Sequence, residues 1–108
     1  MPTELFDLAV IGAGPTGLDA ALAATDDGLD VVVLEAAASV GSNLRDWGHV
    51  RLFTPWAINA SARMRRHLAA VGVSVPDDDE ARPTGAELAE QLLEPVAALP
   101  ALAGRVRT

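Results

Sequence analysis

The fold of this chain is decided by residues 8–35, which read LAVIGAGPTGLDAALAATDDGLDVVVLE. The apolar run over 5–11 and the β-branched run DVVVLE (30–35) each predict a strand buried on both faces of a parallel sheet. The Ala-rich segment between them, from about Thr16 to Thr25, predicts a helix. Gly28 suits the left-handed position that follows a helix end. This strand–helix–strand order predicts a parallel pair joined by a right-handed crossover.

Three glycines at the spacing G-x-G-x-x-G lie between the first strand and the helix: Gly12, Gly14 and Gly17. In this setting the first allows a tight turn, the second lets a pyrophosphate approach the backbone, and the third lets the helix pack on the strand. The helix N-terminus offers N–H groups to the anion. Glu35 ends the second strand about 20 residues further on, where an acid binds ribose hydroxyls. The pattern predicts an adenine-dinucleotide site that disfavours a 2′-phosphate, the alternative being a glycine turn without a ligand.

The sequence also resembles a known group of enzymes. GAGPTGL (12–18), followed by a strand that ends in Glu35, is similar to the FAD-binding start of flavoproteins with two dinucleotide-binding domains. These are the pyridine nucleotide–disulfide oxidoreductases and the flavin-containing monooxygenases, and Pro15 is typical of their FAD sites. EAAASVGSNLRDW (35–47) resembles the next part of the pattern, in which Gly41 matches one glycine and Ser42 replaces a second.

This resemblance implies an α/β, Rossmann-like three-layer fold that is incomplete in 108 residues. Residues 1–108 would form the N-terminal portion of a FAD-binding domain that holds the ADP moiety of FAD, and the NAD(P)H-binding domain would be absent. NAD(P)H would then be a partner only if the missing domain were supplied. Arg45 is a candidate counter-charge for the pyrophosphate. The implied cofactor-binding residues are Gly12, Ala13, Gly14, Pro15, Thr16, Gly17, Glu35, Ala36, Ser42, Asn43 and Arg45.

The rest of the chain predicts helices separated by loops. Residues 36–59 have little periodicity and are expected to be mostly loop. One further helix is expected over 61–71, and another after a capping box at Thr84 and Glu87. Their apolar faces are Met64, Leu68 and Val71 in the first, and Leu88, Leu92 and Val96 in the second. An acidic loop (76–83) separates the two helices, and 105–108 is expected to begin another strand.

The composition argues against several other kinds of site. The chain has no cysteine, which excludes disulfides, thiolate metal sites and thiol nucleophiles. We expect no metal site and no catalytic residue. A net charge of −7 makes nucleic acid an improbable partner. The N-terminus has neither a basic region nor a long apolar run, so we expect no signal peptide, no membrane span and a cytoplasmic location.

Several side chains have more than one interpretation. His49 is expected in loop packing or on the surface, with a place in a flavin pocket as the alternative, and His67 is expected on the surface. The basic segment RMRRH (63–67) is expected to be a solvated helix face, with contact to a phosphate or to the acidic loop as the alternatives. The aromatic residues of 47–56 belong either to the core or beside a flavin.

Three functions remain open from the sequence. The first is the N-terminal part of a FAD-dependent oxidoreductase. The second is a stand-alone, non-catalytic binding module for FAD or NAD, or a truncated inactive fragment. The third is an NAD-binding dehydrogenase module, against which Pro15 and the segment 41–47 argue. In each case the chain alone is expected to lack complete catalytic machinery. Exposed apolar surface would favour association with itself or with another chain.

Overall fold

The computed structural model describes residues 5–108. Its strands β1 (Leu8–Ile11), β2 (Val31–Leu34) and β3 (Val106–Arg107) form one sheet in the order β1-β2-β3. Both strand pairs are parallel, with Leu8 opposite Val31 and Val33 opposite Val106. The structure therefore confirms the predicted parallel pair, and it confirms that the last residues add a third strand.

Helices occupy most of the remaining chain. They are α1 (Pro15–Asp26), α2 (Ser42–Asp46), α3 (Trp56–Asn59), α4 (Ala62–Ala70), α5 (Gly85–Leu88) and α6 (Glu94–Ala97). A π-helical stretch, Ala89–Leu93, joins α5 to α6 without a break, and a 3₁₀ turn, Pro100–Leu102, leads to β3. The π stretch was not predicted. It ends two residues before Pro95, which has no N–H for the regular helical bond to the carbonyl of Gln91.

The helices pack on one face of the sheet. Val31 and Val33 of β2 contact a core in which Leu18 and Leu22 of α1 are fully buried. The predicted apolar faces of the later helices are buried as well, at Met64 and Leu68 and at Leu88, Leu92 and Val96. Val71 is the exception. It is 49% exposed because α4 ends at Ala70, so the next residue leaves the helical face.

The other face of the sheet is largely open among residues 5–108. Ile11 is 80% exposed and Leu34 is 41% exposed. The prediction that the first strand is buried on both faces is therefore wrong, because β1 is an edge strand on which nothing described packs from the second side. A complete Rossmann sheet has a further strand beside β1 and helices on both faces. The described residues form two of its three layers.

The structure contains both of the helix-end signals that the sequence predicts, the capping box at Thr84 and the left-handed glycine at Gly28. Thr84 Oγ1 accepts the N–H of Glu87 at 3.1 Å, and Glu87 Oε1 accepts the N–H of Thr84 at 2.9 Å, which completes the capping box. Gly28 follows α1 with a φ of +78°, in the left-handed region. These local signals fix where α1 ends and where α5 begins.

An ion-pair cluster joins α1 to α4. Asp26 accepts a hydrogen bond from Arg66 at 2.6 Å, and its other oxygen lies 2.8 Å from Nε2 of His67. Arg63 Nε lies 3.4 Å from Asp26, and its guanidinium also reaches Asp19. The basic face over 63–67 is partly solvated, with the Arg66 side chain 65% exposed, and its pairing with acids of α1 was not predicted. The buried side of α4 seats this helix on α1, which brings the basic side chains opposite the acids.

Asp26→Asn should lower the melting temperature by a few degrees at neutral pH and low salt. The hydrogen bond from His67 and the charges of Arg66 and Arg63 hold the pKa of Asp26 below its ordinary value. The folded state thus favours the carboxylate, so this stabilisation is present above the ordinary pKa and is lost as the pH falls through the lowered pKa. Added salt should also reduce it. Circular dichroism melts across pH and salt measure the effect.

The exposed neighbour Asp27 provides the control for this substitution. Asp27→Asn makes the same charge change one residue further along and should leave the melting temperature nearly unchanged. Equal melting temperatures for both variants and the wild type at neutral pH would show that the cluster adds no stability.

Candidate functional site

A cleft of about 490 Å³ opens at the carboxyl ends of β1 and β2. Three segments form its walls: the loop after β1, the residues after β2, and the start of α2. The lining residues are Gly12, Gly14 and Pro15; Glu35, Ala36 and Ala37; and Gly41, Ser42, Asn43 and Leu44. Ligands of open α/β sheets bind at this end of the strands.

Residues 12–17, which comprise the turn after β1 and the first residues of α1, are called the glycine loop below. Gly12 has a φ of +101°, which a residue with a side chain rarely adopts. A Cβ on Gly17 would lie 2.0 Å from the carbonyl oxygen of Gly12, so the loop and the helix touch backbone to backbone. A Cβ on Gly14 would meet nothing within 4 Å. Gly14 therefore faces open space in the cleft rather than the packed interior.

The N-terminus of α1 faces the same cleft. Gly14 is the N-cap and makes no side-chain capping bond, and Pro15 is the first helical residue. The N–H groups of the first helical turn have no partner within the helix. Together with the helix dipole they give this wall a partial positive charge that suits an anion.

Glu35 forms the opposite wall. Its Oε1 accepts the N–H of Ala13 at 2.9 Å, and its Oε2 accepts the N–H of Ala37 at 2.9 Å. The N–H groups of Ala37 and Ala13 hold the pKa of Glu35 below its ordinary value. The side chain is thus a carboxylate at neutral pH, and its oxygens retain lone pairs for hydroxyl donors.

The third wall begins at Gly41, whose φ of +68° is left-handed. A Cβ there would lie 3.0 Å from Leu93 Cδ1 and 3.2 Å from Ala89 Cβ, so the π-helical stretch packs directly on this glycine. Ser42 follows as the first residue of α2. Among residues 5–108 only glycines have a positive φ, so serine replaces the second glycine of the family pattern without backbone strain.

Arg45 lies outside the lining of the cleft. Its Nε donates to the carbonyl of Val40 at 3.3 Å, and its Nη2 donates to Glu94 at 2.5 Å. Arg45 thus joins α2 to α6. Among the residues that line the cleft, the charged one is the acid Glu35. The attraction of the cleft for an anion therefore comes from the partial positive charges of backbone N–H groups.

The structure brings most of the predicted site residues together. Seven line the cleft: Gly12, Gly14, Pro15, Glu35, Ala36, Ser42 and Asn43. The others do not: Ala13 and Gly17 lie behind the loop surface, Thr16 is exposed on α1, and Arg45 binds Glu94. Three lining residues were not predicted: Ala37, Gly41 and Leu44. Gly41 could have been found from its match to the family glycine, whereas Ala37 acts through its backbone N–H and leaves no signal in the sequence.

A second cavity, of about 430 Å³, lies along the loop 47–54. Phe53 at its edge is 93% exposed and Trp47 is 38% exposed, while Trp56 is buried in the core at 4%. His49 is exposed in the same loop. Of the three aromatic residues that the sequence left open, one is therefore a core residue and two border solvent.

Comparison with protein families gives a match to the model of the Thi4 family over residues 3–101. The chain belongs to the Thi4 family. Curated relatives match less than half of this chain. The soluble pyridine nucleotide transhydrogenase of Vibrio atlanticus (strain LGP32) is 44% identical over 45 residues, which are 42% of this chain and 10% of that protein. The enzyme of the same name from Chromohalobacter salexigens is 40% identical over 50 residues, 46% of this chain and 11% of that protein.

Two solved structures share the fold of this Thi4-family chain. An oxidized steroid monooxygenase bound to NADP has a TM-score of 0.71 at 24% identity, covering 94% of this chain and 19% of that one. OTEMO in complex with FAD and NADP has a TM-score of 0.60 at 22% identity, covering 98% and 19%. The comparisons confirm the predicted flavoprotein resemblance and the Rossmann-type fold. The chain spans about a tenth of the length of the curated relatives it matches.

No helix within residues 5–108 has the length and apolar character needed to cross a membrane.

Proposed function

We propose that this chain is the N-terminal portion of the FAD-binding domain of an oxidoreductase and that it holds the ADP moiety of FAD. The observation that supports this most directly is the cleft at the carboxyl ends of β1 and β2. It combines a glycine loop, the uncapped N-terminus of α1 and the carboxylate of Glu35 on one continuous surface. These are the parts that an adenosine joined to a pyrophosphate requires.

In this proposal the pyrophosphate lies over Gly14, where a side chain is absent and the cleft is open. The N–H groups at the start of α1 donate to its oxygens. The adenosine ribose lies against Glu35, whose remaining lone pairs accept the two ribose hydroxyls. Ser42 and Asn43 flank the phosphates from the third wall, at the start of α2.

FAD, when bound, supplies hydride and electron transfer, while the protein binds and orients it. The residues that line the cleft offer backbone donors, one carboxylate and the polar side chains of Ser42 and Asn43. We therefore propose that the NAD(P)H-binding domain and the reacting groups belong to a part of the enzyme outside these 108 residues, in line with the 19% coverage of the solved chains. The curated relatives are called soluble transhydrogenases, which supports our proposal of a cytoplasmic location.

Thermal-shift and calorimetric titrations of the purified chain test this function. FAD and ADP should both stabilise the chain, by about 2.7 kcal/mol at a ligand concentration of 100 times Kd. Adenosine 2′,5′-bisphosphate should bind at least about tenfold more weakly than adenosine 5′-monophosphate, because its 2′-phosphate meets the charge of Glu35. Glu35→Ala should weaken ADP binding by about 1–3 kcal/mol and reduce this preference.

The same titration separates the alternatives. Stabilisation by ADP and NAD without any by FAD would replace this proposal with a stand-alone nucleotide-binding module or an NAD-binding dehydrogenase module. If FAD, ADP and NAD all leave the melting temperature unchanged, the chain has no adenine-dinucleotide site.

A further inference from the structure

The carboxylate of Glu35 binds two parts of the protein. One oxygen accepts the N–H of Ala13 in the glycine loop, and the other accepts the N–H of Ala37 after β2, both at 2.9 Å. The two donors belong to different walls of the cleft. Glu35 therefore joins the walls as well as lining one of them.

The bond to Ala13 fixes one peptide plane of the glycine loop. In a trans peptide, the N–H of Ala13 and the carbonyl of Gly12 point in opposite directions. With the N–H held by Glu35, the Gly12 carbonyl is directed at Gly17, where a Cβ would lie 2.0 Å from its oxygen. This orientation lets Gly17, in the first turn of α1, pack against the backbone of Gly12.

The next peptide plane is fixed too. The carbonyl of Ala13 accepts the N–H of Gly41 at 3.1 Å, which sets the direction of the N–H of Gly14 in the same plane. Ala13 itself is fully buried. Both polar groups of Ala13 are therefore bound within the protein, and Glu35 provides the partner on the side of β2.

We propose that Glu35 is a positioning residue for the glycine loop: by holding the Ala13 N–H, it orients the backbone donors that bind the pyrophosphate. This inference rests on the proposed nucleotide site and adds to the ribose contact, because each carboxylate oxygen has a second lone pair. The inference predicts that removing the carboxylate of Glu35 weakens pyrophosphate binding, whereas charge repulsion alone predicts that it strengthens binding. A carboxylate close to a pyrophosphate repels it, so a Glu35 that acted by charge alone would weaken pyrophosphate binding.

Inorganic pyrophosphate is the probe that separates these roles, because it has no ribose. Calorimetric titration should show that Glu35→Gln binds pyrophosphate roughly 3- to 10-fold more weakly than the wild type, since the amide nitrogen of Gln cannot accept the second N–H. Glu90→Gln is the matched control, because Glu90 is exposed on the π-helical stretch and lies outside the cleft lining. It should bind pyrophosphate as the wild type does.

Equal or tighter pyrophosphate binding by Glu35→Gln would overturn the inference and leave the proposed function intact. A wild-type chain that binds neither ADP nor pyrophosphate would overturn both. If Glu35→Gln and Glu90→Gln lose affinity equally, the loss is not specific to the bond between Glu35 and the glycine loop, and the inference is wrong.

A spectroscopic readout tests the bond itself in the ligand-free chain. In the wild type, the amide proton resonance of Ala13 should move as the pH falls through the lowered pKa of Glu35, with that of Ala37 moving in parallel. In Glu35→Gln both resonances should stay constant over this range. An Ala13 resonance that is insensitive to pH in the wild type would show that Glu35 does not hold the loop.

Discussion

Gly17→Ala is expected to lower the melting temperature of the chain by roughly 10 °C or more. The added Cβ would lie 2.0 Å from the carbonyl oxygen of Gly12 and 3.1 Å from its carbonyl carbon. Both are backbone atoms, so the clash cannot be relieved by rotating a side chain. The helix has to move away from β1, which disturbs the packing of Leu18 and Leu22 in the core.

The magnitude follows from two opposing effects. Overpacking of this kind costs about 1–3 kcal/mol and sometimes more. Alanine in place of glycine within a helix returns about 0.5–1 kcal/mol. Because the clash is with backbone atoms at 2.0 Å, we place the cost at or above the upper end of its range, which leaves a net loss of about 2 kcal/mol or more. This is a large part of the stability of a small domain. Differential scanning calorimetry of the variant and the wild type measures it.

Gly14→Ala is the matched control, because it makes the same chemical change three residues earlier in the same loop. Its Cβ would meet nothing within 4 Å, so the melting temperature should stay within a few degrees of the wild type. Equal stability of Gly17→Ala and Gly14→Ala would show that the close contact between α1 and the glycine loop is not needed for the fold.

The local signals in the sequence predicted the elements that position the site. β-branched and apolar runs marked β1 and β2, and the capping box at Thr84 marked the start of α5. The glycine spacing predicted the contact at Gly17 because a short-range backbone constraint leaves a residue-type signature. Features with such signatures were predicted at close to residue resolution.

Features that depend on tertiary packing were not predictable in the same way. The exposure of β1 depends on which strand lies beside it, and an apolar run of seven residues reads the same in a central strand and in an edge strand. The partner of Arg45 is Glu94, 49 residues further along the chain. The cluster at Asp26 likewise depends on α4 docking against α1. Side-chain chemistry gives no indication of such long-range partners.

The walls of the cleft likewise combine residues that the sequence identifies with contacts that it does not. Gly14 and Glu35 were found because their chemistry requires a glycine and an acid. Ala37 and the N–H of Ala13 contribute only backbone groups, which every non-proline residue has. The bonds that organise the site are therefore the part that the sequence could not reveal.

Gly14→Val should abolish nucleotide binding while the fold is retained, with a loss of ADP affinity of about 100-fold or more, equivalent to about 2.7 kcal/mol. The valine side chain would extend into the open part of the cleft, where the proposed pyrophosphate approaches the backbone. The backbone of Gly14, with φ −89° and ψ −174°, is extended and suits a β-branched residue. The cost in stability is limited to a poorer N-cap, about 1 kcal/mol.

Ala20→Val is the control for Gly14→Val, because Ala20 is exposed on α1 and lies outside the cleft lining. It adds a β-branched side chain to the same helix and should bind ADP as the wild type does. Calorimetry gives the affinities, and circular dichroism shows whether each variant is folded.

If folded Gly14→Val bound ADP with wild-type affinity, the pyrophosphate could not lie over Gly14, and the nucleotide would have to be placed elsewhere on the sheet edge. If Gly14→Val alone lost affinity while both variants stayed folded, the position of the pyrophosphate would be fixed over the glycine loop, because the substitution changes only the space in front of it.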